Sequence, residues 1–238
     1  MSRVRFPSSA PLLYVGEQMK PEEYFDRILL IEPLYEPEDR FCEPFYYFAQ
    51  RFQSLQRHWE LNKDFLEAHS SLVEQVELDS SEKADVFDMT SGVDLDYFPQ
   101  YVRLSTLSIS LSLVENVLGD ISEQIAVESG VPFILDERNI PYIDKHILWL
   151  TRGCGLELTI PKELRKRLTA SRELRNRFLH HISRDIPEDI QKVIGEMVSS
   201  ATADEANVTN DFIEVAMIDL AEMTKRVELA YWQFSDSK

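Results

Sequence analysis

An all-α fold, arranged as an up-down helical bundle with long helices, is predicted by two observations. Glycine is scarce, with 7 among 238 residues, and apolar residues recur at spacings of three and four over long stretches, the period of an amphipathic helix. A hydrophobic fraction of 44% and a mean hydropathy of −0.27 place the chain among soluble globular proteins. Its length suits one elongated domain or one domain with an appendage. The division expected is a helical extension with an acidic loop over 1–96 and a helical bundle over 97–238.

The elements follow in order. Residues 1–20 read as an irregular arm. Pro21–Ile31 suits a short helix, because proline fits a first turn and Glu22 and Glu23 favour the positive helix end. Pro33 and Pro37 break it. A long helix is expected from about Pro37 or Phe41 to His69, carrying Phe45, Phe48, Phe52, Leu55, Trp59 and Leu66. That aromatic stripe reads as core rather than as a cofactor box. Residues 75–97 read as a solvated acidic loop, with Asp79, Glu82, Asp85, Asp88, Asp94 and Asp96 around a Ser91-Gly92 break and at most a helical turn near Ser81–Met89. The glycine spacing of a calcium loop is missing there.

A second long helix is expected from Tyr97 or Pro99 to Ser129, with Leu104, Leu107, Leu111, Val114, Leu118, Ile121 and Ile125 on one face. Ser105, Ser108 and Ser112 share another side, where small side chains allow a neighbouring helix to approach. Asn139–Leu150 makes a shorter helix ended by Gly153-Cys154-Gly155. Pro161 opens a helix to about Ile182, closed by Ser183 and Pro187. Pro187–Ser200 and Val208–Phe234 are two further amphipathic segments.

No apolar run is long enough to span a bilayer on this reading. Residues 1–7 have two arginines with no signal-peptide apolar region behind them. Cys42 and Cys154 suit a reducing compartment and exclude a dense disulfide framework. A cytoplasmic protein without a membrane partner is therefore expected. His58, His69 and His146 lack ligand spacing, so no metal site and no cofactor are expected.

The net charge of −17 argues against a nucleic-acid partner at first. Its distribution reverses that argument. Residues 152–184 hold nine cations (Arg152, Lys162, Arg165, Lys166, Arg167, Arg172, Arg175, Arg177 and Arg184) against three acids (Glu157, Glu163 and Glu173). This basic island contains the run Arg172-Glu173-Leu174-Arg175-Asn176-Arg177-Phe178-Leu179-His180-His181, with two of the five histidines.

At about 100° per residue, Leu164, Leu168, Leu174, Phe178 and Ile182 form an apolar stripe facing the core. Asn176 and His180 lie together on nearly the opposite side, and Arg175 stands about 140° from His180. The polar set is therefore expected to point away from the core of the monomer, and two copies across a two-fold axis would build a shared cationic cleft. Metal-free RNA cleavage needs a base for the 2′-OH, an acid for the leaving 5′-oxygen and a cation for the phosphorane. Histidine serves either proton transfer, arginine forks onto phosphate oxygens, and Asn176 can orient the histidine or the 2′-OH. Arg175, Asn176 and His180 are the catalytic candidates. Lys162, Arg165, Lys166, Arg172, Arg177 and His181 are the RNA-binding candidates.

Arg175-Asn176-Arg177-Phe178-Leu179-His180 is similar to the Arg-x(4–6)-His motif of the HEPN superfamily, in which a polar residue often follows the arginine. The preceding long helix, with Leu113-Val114-Glu115 at its middle, resembles the first core helix of such domains. The resemblance covers roughly 97–234. It implies a metal-independent, commonly dimeric ribonuclease acting as a toxin or defence effector, with an antitoxin or sensor protein as a possible partner. His181 permits an Arg-x5-His alignment as well; His180 is favoured because it shares a face with Asn176. Ile182 stands where toxins paired with a nucleotidyltransferase antitoxin often carry tyrosine, which argues against regulation at that position. The alternative is a non-catalytic HEPN-like module that binds RNA or assembles with a protein.

Overall fold

The computed structural model describes residues 30–79, 84–133, 140–180, 187–197 and 208–238, with side chains described in all of these except 67–97 and 179–180. All regular secondary structure in the described chain is helical, with no strand among these residues. The helices are α1 (Glu43–Asp79), α2 (Ala84–Ser129), α3 (Tyr142–Leu148), α4 (Lys162–His180), α5 (Glu188–Met197) and α6 (Asn210–Asp236). The expected arm over 1–20 and all but the last two residues of the helix expected at Pro21–Ile31 lie outside the described residues.

Named contacts fix the helix directions. Cys42 reaches Gln124 and Phe65 reaches Phe98, so α1 and α2 run antiparallel. Arg103 bonds Asn210 and Gln124 bonds Tyr231, so α6 runs parallel to α2. Arg167 bonds Asp219 and Arg226 reaches the Thr159 carbonyl just ahead of α4, so α4 runs antiparallel to α6. One apolar core joins these helices, with Phe45, Phe52 and Trp59 of α1, Leu107, Leu111, Leu118 and Ile121 of α2, Leu164 of α4 and Phe212 and Leu220 of α6 all nearly inaccessible. Residues on both sides of the expected 96/97 division share this core, and that division falls inside α2.

The acidic loop expected over 75–97 is corrected. Helix α1 continues to Asp79, and α2 begins at Ala84 and runs 46 residues through Gly92 and Pro99. An interior proline costs about 3 kcal/mol and a glycine about 1 kcal/mol in an isolated helix. Pairing of two long helices outweighs such local penalties, because most helical stability in proteins comes from tertiary packing. The two helices are firmly paired on either side of this stretch: Leu66 is 1% exposed, and the Phe65 and Phe98 rings meet edge-on at 6.0 Å.

Two further expectations change. Ser105 and Ser112 are exposed and Ser108 is half-buried, so the serine row does not line a close helix contact. The Ser108 and Ser112 hydroxyls donate back to the carbonyls of Leu104 and Ser108 instead. Among the described residues of α2, the buried small polar side chains are Thr106, Ser110 and Ser122. The segment Phe98–Ser129, 32 residues long, contains an 18-residue stretch with a mean hydropathy of 1.2, so it is long and apolar enough to cross a membrane by length and composition alone. That corrects the expectation that no such run exists. Leucines and isoleucines of this segment supply the protein's own core here.

The expected stop after the third helix has a specific geometry. Trp149–Gly153 forms a π-helical turn, in which the Cys154 N–H reaches the Trp149 carbonyl at 3.1 Å. A Cβ on Gly153 would lie 3.0 Å from the Trp149 ring, and Gly155 adopts φ +76°. Gly155 thus holds a conformation that disfavours other residues, and a side chain at Gly153 would have to displace the indole. Cys42 and Cys154 are free thiols.

The segment before α1 is tied to α6 through Glu228, whose side chain is fully buried. The Tyr35 hydroxyl donates to it at 2.9 Å and the Glu38 N–H at 2.8 Å, while the Lys225 ammonium lies 3.2 Å away. Lys225 also reaches the Glu36 carbonyl and the Glu38 carboxylate. Burial, together with the adjacent Glu228 carboxylate, pushes the Tyr35 hydroxyl far above the ordinary phenol range.

Candidate functional site on the basic helix

Helix α4 buries Leu164, Leu168, Ala170, Ser171 and Leu174 against the bundle. Arg175 sits at the edge of this buried stripe, about 60° around the helix from Phe178. Its guanidinium folds inward. Nη1 donates to Glu115 Oε1 on α2 at 2.8 Å, and Nε and Nη2 both point at Asn176 Oδ1 at 3.3 Å. The Arg175 side chain is only 13% exposed and that of Glu115 21%. Asn176 and Phe178 are half-buried too, the Phe178 ring meeting Tyr101 at 5.6 Å. The expectation of a polar set turned wholly outward is corrected for Arg175. A long side chain flanking a narrow apolar stripe reaches a carboxylate on the neighbouring helix, and a charge-assisted bond rewards it.

Two of the five guanidinium N–H groups, one on each terminal nitrogen, keep no partner among the described residues. The arginine is thus anchored by Glu115, oriented by Asn176 and left with a partial fork. His180 is the last residue of α4, one turn beyond Asn176. Its side chain and the whole of His181 lie outside the described residues.

Four more cations of the island are engaged by carboxylates. Arg165 Nη2 donates to Asp144 Oδ1 at 2.8 Å and Arg172 Nη1 to Asp144 Oδ2 at 3.2 Å, so one aspartate on α3 bridges two guanidiniums. Arg172 also reaches Glu173 at 3.0 Å. Lys166 pairs with Glu196 of α5 at 2.7 Å. Their mutual hydrogen bond holds the ammonium above and the carboxyl below its usual pKa range. Arg167 forks onto the buried Asp219 of α6 at 2.6 and 2.7 Å. Lys162 is exposed in the first turn, and Arg177 is half-buried.

The island therefore serves partly as a docking strip for α3, α5 and α6. Asp144, Glu196 and Asp219 escaped the sequence analysis, since they stand 28, 30 and 52 residues from the cations they hold. The pairs differ in strength. The Arg165–Asp144 pair, whose arginine is 61% exposed, and the exposed Lys166–Glu196 contact are the kind of surface pair that contributes little and exchanges readily for another anion.

A buried Ser–His pair lies beside this strip. His146 is 1% exposed, shares a 2.8 Å hydrogen bond between Nδ1 and Ser122 Oγ, and stacks on Phe133 at 4.8 Å. Its Nε2 has no hydrogen-bond partner among the described residues. Burial lowers its pKa to about 4, so the imidazole is neutral at pH 7. The pair is enclosed, as a packed histidine is and a nucleophile is not.

Because the folded-state pKa lies below the unfolded value of 6.5, the unfolded chain takes up the proton first. Stability is full above pH 6.5 and falls as pH drops toward 4, by up to about 3 kcal/mol from this one group. Urea titrations at pH 7, 5.5 and 4.5 are expected to show that loss for the wild type and a shallower one for His146→Phe. Equal slopes for the two would assign the acid sensitivity elsewhere.

Among the described residues no group of three or more His, Cys, Asp and Glu side chains could hold a metal ion. Comparison with known protein families, characterised proteins and solved structures gives no match for this chain.

Proposed function

We propose that this chain is a metal-independent RNA endonuclease of HEPN type, built on an up-down HEPN-like bundle and active as a homodimer. Its role would be that of a cytoplasmic toxin or anti-phage defence effector, held in check by an antitoxin or sensor protein. The observation that carries the reading is the anchoring of Arg175. A guanidinium pinned by Glu115 and Asn176, with one N–H left on each terminal nitrogen, is preorganised for an anion. A surface arginine with no task gains nothing from such positioning.

In this reading Arg175 stabilises the charge that develops on the phosphorane, and Asn176 keeps the guanidinium plane fixed. His180 of one protomer takes the 2′-OH proton, and His180 of the second protonates the 5′-oxygen as it leaves. The 2′-oxygen forms its bond to phosphorus as the bond to the 5′-oxygen breaks, which leaves a 2′,3′-cyclic phosphate and a free 5′-hydroxyl. Lys162, Arg165, Lys166, Arg172, Arg177 and His181 contribute phosphate contacts, with Arg165 and Lys166 exchanging a carboxylate for the RNA backbone. Incubation with total RNA in EDTA tests the proposal by the chemistry of the new ends. Cyclic-phosphate ends support it, and RNA left intact under all conditions contradicts it.

The second reading is a non-catalytic HEPN-like module that binds RNA or assembles with a protein. It is favoured by the extent of ion pairing on α4, where Arg165, Lys166, Arg167, Arg172 and Arg175 each already hold a carboxylate. Reversing charge at both Arg165 and Lys166 is expected to weaken RNA binding and to flatten its salt dependence for a nuclease and for an RNA-binding module alike. Only the nuclease also loses turnover.

A further inference from the structure

The aromatic side chains at the start of α1 fall on two faces. Phe45, Phe48, Phe52, Leu55 and Trp59 enter the core, but Tyr46 and Tyr47 turn outward, 43% and 47% exposed, beside Phe41 at 77%. The three rings touch in sequence: Phe41 meets Tyr46 at 5.7 Å, and Tyr46 meets Tyr47 at 5.9 Å, both tilted rather than stacked. Gln50 Nε2 donates to the Tyr46 hydroxyl at 2.8 Å, which fixes that ring. The Arg51 guanidinium lies 6.0 Å from the Tyr47 ring centre and has no carboxylate partner among the described residues.

The local charge is unusual for this chain. From Pro44 to Trp59 there is no acidic residue, in a protein with 42 acids against 25 cations. Tyr47, Arg51, Ser54 and His58 follow at intervals of four, three and four, and all four are exposed. They make a straight stripe about 16 Å long. Glu43, in the first turn, is the one acid on the helix ahead of Glu60.

Three adjoining solvated rings gain nothing for the fold from their exposure. Rings with open faces beside a free guanidinium are what proteins use to hold unpaired bases: the bases stack on the rings, and the cation meets the backbone. An arginine over a tyrosine also presents a flat cationic plate to a base.

We propose that Phe41, Tyr46, Tyr47 and Arg51 form a stacking platform for single-stranded RNA, separate from the Arg175 site. The proposal deepens the nuclease reading, on which it rests for RNA as the ligand, by naming unpaired RNA as the substrate class. It distinguishes this face from the α4 cations, which can contact the phosphates of single or double strands alike.

The test is fluorescence anisotropy with a labelled 12-nucleotide single-stranded 2′-O-methyl RNA, which cannot be cleaved, and with its duplex. Tyr46→Ala/Tyr47→Ala is expected to weaken single-strand binding by at least about tenfold and to leave duplex binding unchanged. Tyr46→Phe/Tyr47→Phe keeps the rings and is expected to bind like wild type. Arg51→Ala is expected to lower the slope of log Kd against log salt by about one. Thermal melts of the exposed-residue variants check that the fold is intact.

Unchanged single-strand affinity in the double alanine variant overturns the platform, even if wild type cleaves RNA. A shift of that variant from dimer to monomer without RNA also overturns it, because the face is then an interface between copies. Ring-dependent binding together with no cleavage of any RNA keeps the platform and removes the nuclease.

Discussion

Replacing Arg175 with alanine is expected to lower RNA cleavage by at least two orders of magnitude while RNA binding falls far less. A preorganised donor aimed at developing charge is worth about 10²–10³ in turnover, and its loss appears in kcat rather than in KM. Arg175→Lys separates charge from geometry. An ammonium keeps the cation and loses the planar fork that spans Glu115, Asn176 and the phosphate, so little activity returns. The substitution has a structural cost as well, because Glu115 at 21% exposure loses its partner. Glu115→Gln in the same background restores a neutral, satisfiable group and recovers stability without activity. Full recovery of cleavage in that double variant would make Arg175 a purely structural residue.

Glu228→Ala is expected to be the most destabilising single polar substitution, at about 3–5 kcal/mol. The carboxylate is fully buried and accepts from the Tyr35 hydroxyl and the Glu38 N–H beside the Lys225 ammonium. Its removal leaves the tyrosine hydroxyl and a backbone N–H without an acceptor, and the Lys225 ammonium keeps only Glu38 as counter-charge. Glu228→Gln keeps the volume and one acceptor and loses less. A denaturation midpoint for Glu228→Ala within a few tenths of molar urea of wild type would show that the residues before α1 contribute little to the folded state.

The all-helical character is legible because it rests on local periodicity. Leu107, Leu111, Val114, Leu118, Ile121 and Ile125 are spaced as a buried face, and they are buried. The stretch around Ser91-Gly92 and Pro99 is illegible for the same reason. Its local signals are breakers, and what overrides them is α1 lying alongside α2, a contact between segments far apart in sequence. Tyr46 and Tyr47 interleave with Phe45 and Phe48 in sequence but fall off the apolar stripe, and periodicity gives such off-stripe rings no role until the fold shows them exposed side by side.

The candidate site divides along the same line. That Arg175 and Asn176 adjoin at the end of a basic helix is visible in the sequence. That Arg175 turns inward to a carboxylate 60 residues earlier is not. The charge of the basic island is likewise visible, whereas its neutralisation depends on Asp144, Glu196 and Asp219 arriving from three other helices. Charge counting measures what a surface could bind, and only the fold determines how much of it the protein has already bound itself.

The central claim, that α4 carries a metal-independent ribonuclease site, is tested most directly at His180. Purified wild type and His180→Ala are incubated with total cellular RNA in EDTA, and new ends are mapped by their chemistry. The account predicts 2′,3′-cyclic phosphate ends from wild type alone, with both proteins equally folded. Cleavage by His180→Ala at the wild-type rate would contradict it.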